Sequence, residues 1–325
     1  MRFLLAAGST ATAHIDGISA AGADSEAMRY TPGADAELVV YGDAVRAPAV
    51  PVSPTGTPTP AVVTRAAREV LGFETSVVDA GLLENTGAPT IAVGASAGED
   101  VREADPVPTG PGSFTAAVQL GRALPDDHLV LGETIPGGTT TALGVLQALG
   151  EDVEVSSSLA TNPIERKHDV VAAGLDASGL EPGDCAGDPR RAIRRMGDPV
   201  QAALAGVVVG ALETGARVTL AGGTQLLAVA ALVRHDGVDA GFEIATTSYV
   251  ADDDAVGFRT AARDLDLDVT VTDPGFDPEH VGFGGYVAGE AKEGVGMGGA
   301  LALADAAGEL GAVRERAREV YDRVV

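Results

Sequence analysis

Three segments of this 325-residue chain set glycine, hydroxyl and charged residues at spacings suited to holding an anion. In the first, GETIPGGTTTALG, an apolar run ends at Glu133 and Gly137-Gly138 lead into Thr139 and Thr140. Glycines let the backbone approach a ligand, and a helix start offers free N–H groups and a positive dipole end. The segment is a phosphate or carboxylate cradle, or else a plain Gly-Thr helix cap. No Lys follows the second glycine, so it is not a Walker loop. In the second, Ser156-Ser157-Ser158 precede Asn162-Pro163 and a helix carrying Lys167. That Lys is either a fixed cation for a phosphate or a surface residue beside Glu165. In the third, Lys292-Glu293 precede Gly294 and Gly296 at a helix entry. A carboxylate there can complement the helix dipole. In a glycine-lined space with a pKa raised by burial, it can also serve as a general base.

Weaker features surround these. Gly222, Gly223 and Thr224 follow an apolar run and either line a pocket or simply pack; Glu133 and Ser156 are candidates for a base or ribose pocket. Asp252-Asp253-Asp254 is the only metal- or diphosphate-like run, and acidic runs are common in this composition. The five His residues show no metal spacing, the single Cys185 excludes an intrachain disulfide, and no Ser-His-Asp signature is present. Only two lysines, Lys167 and Lys292, occur in the whole chain, and both fall in the segments above.

The elements that must position these residues alternate. Apolar runs at 3–8, 37–42, 75–81, 90–95, 128–133, 217–223, 242–248 and 267–273 read as strands. Helical stretches at 59–71, 113–123, 138–149, 199–214, 224–235, 254–264 and 298–324 separate them. This pattern predicts an α/β fold: a mainly parallel, Rossmann-like sheet flanked by helices. Ligands bind such sheets at the carboxyl ends of strands, where the candidate loops fall. Residues 43–60 read as a connector and 96–113 as a long surface loop.

Forty-seven acidic against 22 basic residues give a formal net charge of −25. That field repels nucleic acid and anionic lipid, so neither is expected as a partner. The acids are dispersed rather than gathered in a tail, a pattern suited to molar salt, where a Debye length of about 3 Å screens self-repulsion. No stretch reads as a membrane span, and the apolar start reads as a buried strand rather than a leader; a cytoplasmic protein is expected.

Together these motifs resemble the nicotinate-nucleotide:dimethylbenzimidazole phosphoribosyltransferase family. KEGVGMGGALAL is similar to that family's E-G-x-G-A-x-x-A segment, GETIPGGTTTA to its G-E-M-G-I-G-N-T-T loop, and RKHDVV to the segment supplying a phosphate-binding Lys. The stretches FLLAAGSTATAHIDGISAAGAD, YTPGADAE and VVDAGL resemble only the archaeal branch, which extends the likeness along essentially the whole chain. Pro136-Gly137-Gly138 replaces the bacterial I-G-N, and the bacterial H-x-S-A-E-P-G-H segment is absent, which leaves the acceptor base open.

The resemblance implies transfer of the 5-phosphoribosyl group of nicotinate mononucleotide to a benzimidazole-type base, a step in building the lower loop of cobamides. Glu293 would be the catalytic base. Gly137, Gly138, Thr139, Thr140, Lys167, Gly294 and Gly296 would hold the nucleotide, and Lys292 joins Glu133, Ser156, Gly222, Gly223 and Thr224 as a candidate for the base or ribose pocket. No metal or other cofactor is implied. The family resemblance also implies a homodimer of a large domain, here 30–280, with a smaller part from both chain ends, 1–29 and 281–325. Two other readings stay open: a non-catalytic nucleotide sensor on the same fold, and a hydrolase or transferase acting on a different base.

Overall fold

The computed structural model describes residues 1–22 and 24–325; residue 23, inside the N-terminal stretch of the resemblance, lies outside them. Seven strands form one sheet: β1 (Arg2–Ala7), β2 (Glu74–Asp79), β3 (Thr90–Ala92), β4 (His128–Thr134), β5 (Arg217–Ala221), β6 (Glu243–Thr247) and β7 (Asp268–Thr272). Every pairing is parallel, and the order is β3-β2-β1-β4-β5-β6-β7. The expected parallel α/β architecture is therefore present.

Strand β1, inside the sheet, shows why the sheet is two-faced. Alternate side chains of a strand point to opposite faces. Leu4 and Ala6 join a core packed under helices Gly110–Ala123, Gly138–Leu149, Pro199–Glu213 and Thr224–His235. Phe3, Leu5 and Ala7 join a second core under helices Thr31–Tyr41, Ala61–Leu71, Met297–Ala306 and Leu310–Val324. Both chain ends thus join one layered unit: β1 lies between β2 and β4, helix Met297–Ala306 packs on the sheet, and helix Leu310–Val324 packs outside it on Ala61–Leu71. With few aromatics, the cores are built from Ala, Val, Leu and Ile. Most of the aromatic contacts gather near the C-terminus, where Phe276, His280, Phe283, Tyr286 and Tyr321 stack.

Two expected elements are corrected. The run at 37–42 is not a strand but the end of helix Thr31–Tyr41, whose residues 31–39 are all buried. A short apolar run buried on all sides has no periodicity to separate helix from strand. Pro32 opens this helix, and Gly42, at φ 86, closes it. The single helix expected over 298–324 is two, Met297–Ala306 and Leu310–Val324, broken at Gly308 with φ 74. Smaller differences are local. The helix expected from 254 begins at Phe258, and the one expected from 113 begins at Gly110. The stretch 43–60 is irregular apart from a bridge between Val52 and Pro58.

The chain turns outward in one direction from β1 through β2 to β3, and in the other from β4 through β5 and β6 to β7. The loops leaving β1 and β4 therefore diverge, and a crevice opens between them at the carboxyl edge of the sheet.

Candidate active site

A cleft of about 870 Å³, its mouth included, occupies that edge. Its floor is the end of β4, Glu133 and Thr134. One side is rich in donors. Gly137, at φ 82, caps helix Gly138–Leu149 and turns Gly138 and Thr139 toward the cleft. A β-carbon on Gly137 would stand 2.8 Å from the Ala13 nitrogen, so only glycine fits this turn. Gly223, Thr224 and Gln225 present a second helix start, that of Thr224–His235, and Ser156, Ser157 and Ser158 lie beside it. These hydroxyls are fixed: the Ser156 N–H donates to Thr224 Oγ1 at 3.1 Å, and Ser158 Oγ accepts from the Ala20 N–H at 3.0 Å.

Glu293 lines the cleft between these donors and the floor; its Cβ is 3.5 Å from where a side chain on Gly223 would begin. Its carboxylate is held by the start of helix Met297–Ala306. Oε1 accepts from the N–H groups of Gly294 at 3.1 Å and Gly298 at 2.8 Å. Oε2 accepts from the Thr247 N–H at 3.1 Å and, more distantly, from Thr246 Oγ1 at 3.4 Å. Burial outweighs these four donors and pushes the carboxyl up to about 7. The dipole-cap and general-base readings of Glu293 are therefore compatible in one geometry. The loop that carries it is strained: Ala291 (φ 44) and Val295 (φ 52) join Gly294 and Gly296 at positive φ. A β-branched residue in that region is rare and persists only where its surroundings enforce it. Here the Val295 N–H donates to the Glu133 carbonyl, and Thr64 Oγ1 donates to the Val295 carbonyl, both at 2.8 Å.

Three further acids lie close by. Glu133 is pushed up to about 8 by burial and then by the charges of Asp198, Glu293 and Asp35. Asp35 and Asp198 are each raised to about 6, chiefly by burial, against the opposing hydrogen bonds from Thr134 and Thr59 to Asp35 and from Thr141 to Asp198. Asp198 lies behind the glycine loop, where it caps helix Pro199–Glu213.

The expected residues divide. Gly137, Gly138, Thr139, Glu133, Ser156, Gly223, Thr224, Glu293 and Gly294 line the cleft. Lys167 does not: it is wholly buried, and its Nζ donates to the Ser156 carbonyl at 2.6 Å, one residue behind the wall. Burial, then the nearby Lys292 charge, push its pKa down to about 7. Lys292 pairs with Asp253 at 2.7 Å and pins its own loop through the Thr247 hydroxyl. Thr140 is buried in the helix with its hydroxyl unpartnered, Gly222 packs against Leu226, and Gly296 against Phe3 and Gly132. In the acidic run, Asp252 bonds Arg259 and Asp253 bonds Lys292. Among the described residues, no group of three or more His, Cys, Asp or Glu side chains is arranged to hold a metal ion, and no helix is long and apolar enough to cross a membrane.

Several cleft residues escape sequence reasoning. Asp35 and Thr59 form one wall, and residues 51–60, read as a connector, supply a strap along it. Glu290 holds that strap, its Oε2 accepting from the hydroxyls of Ser53 at 3.0 Å, Thr55 at 2.5 Å and Thr57 at 2.7 Å. The available signal was an acid inside the apolar run ADAELVV, and a threonine at every second position from 55 to 59.

No family model matches the chain. Curated relatives do. The UPF0284 protein of Halobacterium salinarum is 59% identical over 325 residues, 99% of this chain and 98% of the relative. The UPF0284 protein of Methanosarcina mazei is 44% identical over 308 residues, 93% of this chain and 88% of the relative. Among solved structures, CobT from Thermus thermophilus superimposes with a TM-score of 0.62 at 18% identity, covering 98% of this chain and 83% of that one. The nicotinate-nucleotide-dimethylbenzimidazole phosphoribosyltransferase from the same organism gives 0.60 at 18% identity, covering 98% of this chain and 82% of that one. At that identity the likeness is one of fold.

Proposed function

Because the chain belongs to the UPF0284 family and shares its fold with a nicotinate-nucleotide-dimethylbenzimidazole phosphoribosyltransferase, we propose that it transfers a phosphoribosyl group from nicotinate mononucleotide to a benzimidazole-type base. The observation that carries this reading is the Glu293 carboxylate, with a pKa near neutrality, set between two helix starts and a buried acidic floor.

The donor-rich side, with Gly137 to Thr139, Gly223, Thr224 and the three serines, suits the phosphate. Lys167, with its pKa lowered to about 7, adds positive charge from behind Ser156 while it holds its proton. The acceptor's unprotonated ring nitrogen attacks the anomeric carbon from the face opposite nicotinate, and the configuration inverts from β to α. The carbon–nitrogen bond to nicotinate breaks, and its electron pair neutralises the pyridinium. The acceptor's N–H proton passes to Glu293, with Oε2 the receiving atom because it has one short partner where Oε1 has two. The products are α-ribazole 5′-phosphate, or its analogue with another base, and nicotinate, which would serve cobamide nucleotide-loop synthesis. The leaving group is cationic at the start, so the reaction proceeds without a metal to draw it off. Walls of glycine and proline keep water from the anomeric carbon. By the same family likeness the working unit is a homodimer, and light scattering in molar KCl should give twice the chain mass.

The deciding experiment incubates the protein with nicotinate mononucleotide and a panel of bases in molar KCl and separates the products by chromatography. Base-dependent release of nicotinate with a new riboside phosphate is the expected result. Binding of the nucleotide with no nicotinate released by any base would turn the reading to a sensor.

A further inference from the structure

Asp35 is an acid on the cleft wall with no ionic partner. It is 2% exposed, and no ion pair forms at it among the described residues. Each carboxylate oxygen has one partner: Oδ1 accepts from Thr59 Oγ1 and Oδ2 from Thr134 Oγ1, both at 2.6 Å. An ionised carboxylate offers about four acceptor positions, so roughly two remain. A buried acid without a cation is costly, and a chain that needed only packing here would be better served by an apolar residue.

The surroundings of Asp35 restrict what can lie against it. The two helix starts and the serines line the same cleft and offer the donors that an anion requires. A phosphate, or the carboxylate of nicotinate, would be repelled by Asp35. The neighbouring wall is Pro51, Val52, Pro58 and Pro60, a run of flat apolar surface suited to the face of a heterocycle. A bicyclic base lying on the prolines would turn one edge to Asp35.

We propose that Asp35 selects the acceptor, accepting a hydrogen bond from an amino group on the edge of the base; this rests on the transfer reading above. An alkylated edge would bury the carboxylate without supplying a donor, and sites built to hydrogen-bond reject partners that leave them unpaired. The favoured acceptor class is therefore an amino-bearing aromatic bicycle rather than its methylated counterpart.

The test uses 5-aminobenzimidazole and 5-methylbenzimidazole, which match in size and differ in the donor. Calorimetry in molar KCl gives the dissociation constant of each base with the wild-type protein and with Asp35→Asn. Turnover with nicotinate mononucleotide is then measured for the same four pairs. The wild type should bind the amino base about tenfold or more tightly, the effect of one hydrogen bond to a charged group. Asp35→Asn should bring the two within about threefold. Equal binding by the wild type, or tighter binding of the methyl base, would overturn the proposal. So would an Asp35→Asn protein that loses affinity for both bases by one common factor, as expected if Asp35 serves the ribose hydroxyls. Should that variant fail to fold, the wild-type ratio decides alone. The ratio of dissociation constants judges Asp35, and nicotinate release judges the reaction, so either can fail without the other.

Discussion

The N–H of Val295 donates to the carbonyl of Glu133 at 2.8 Å, so the strained loop bearing one acidic residue of the cleft is stitched to the strand end bearing another. Glu133 and Glu293 are thereby fixed relative to each other by main chain rather than by long side chains. Their mutual repulsion contributes to the raised pKa of Glu133.

Glu293→Gln should keep nucleotide affinity near native while turnover falls by about a hundredfold or more, since general-base catalysis is typically worth 10² to 10⁴. In the wild type, kcat/KM should rise with pH and level off above about 7, as the carboxyl loses its proton. The variant should lack that limb. Native turnover with only a lowered melting midpoint would leave Glu293 as a helix cap and pass the role of base to Glu133.

The buried acids also set how stability depends on pH. Asp35 and Asp198 at about 6, Glu293 at about 7 and Glu133 at about 8 all lie above their unfolded values of 3.8 and 4.5. Between those limits the folded state holds more protons than the unfolded chain, so stability falls as pH rises. The thermal midpoint in molar KCl should therefore drop between about pH 5 and pH 7, above which Lys167, lowered to about 7, offsets the remaining acid. Glu133→Gln should flatten the upper part of that drop; a midpoint that climbs across the same range would contradict the assignment.

Lys167→Met removes the ammonium and keeps the apolar stem. If Lys167 contributes its charge to the phosphate through the Ser156 wall, KM for the nucleotide should rise about tenfold or more while kcat changes less. An unaltered KM would make its bond to the Ser156 carbonyl purely structural.

A pair of glycines separates site geometry from general tolerance. A β-carbon at Gly298 would lie 2.5 Å from Glu293 Oε2 and 2.5 Å from Thr246 Cα, whereas one at Gly112 meets nothing within 4 Å. Gly298→Ala should displace the Glu293 carboxylate, cost about 1–3 kcal/mol and reduce turnover sharply. Gly112→Ala, in a helix, should stabilise by about 0.4–1 kcal/mol and leave turnover native. Equal effects of the two on activity would show that the helix start does not position Glu293.

Much of this site could be read from the chain because its parts are local. A glycine pair before a threonine run, or a Glu ahead of glycines and a helix, declares its geometry within about ten residues. The parallel sheet was legible for the same reason, since each strand-helix unit is written contiguously. What escaped depends on long-range packing. Asp35 meets Thr134 across 99 residues, and Glu290 reaches the strap at Ser53 across 237. Lys167 stood out by its rarity, but whether a lysine on a helix points to solvent, to a ligand or into the core is decided by what packs over it. The misread run at 37–42 has the same origin: a helix buried on every side loses the polar face that would have marked it.

The placement of the two lysines has a practical consequence. Lys167 is sealed in the core and Lys292 is 12% exposed and paired with Asp253. Neither lysine side chain therefore offers a freely reachable amine. Amine-directed reagents such as activated esters should leave both side chains largely unmodified while the protein is folded, so that labelling of either would report its opening.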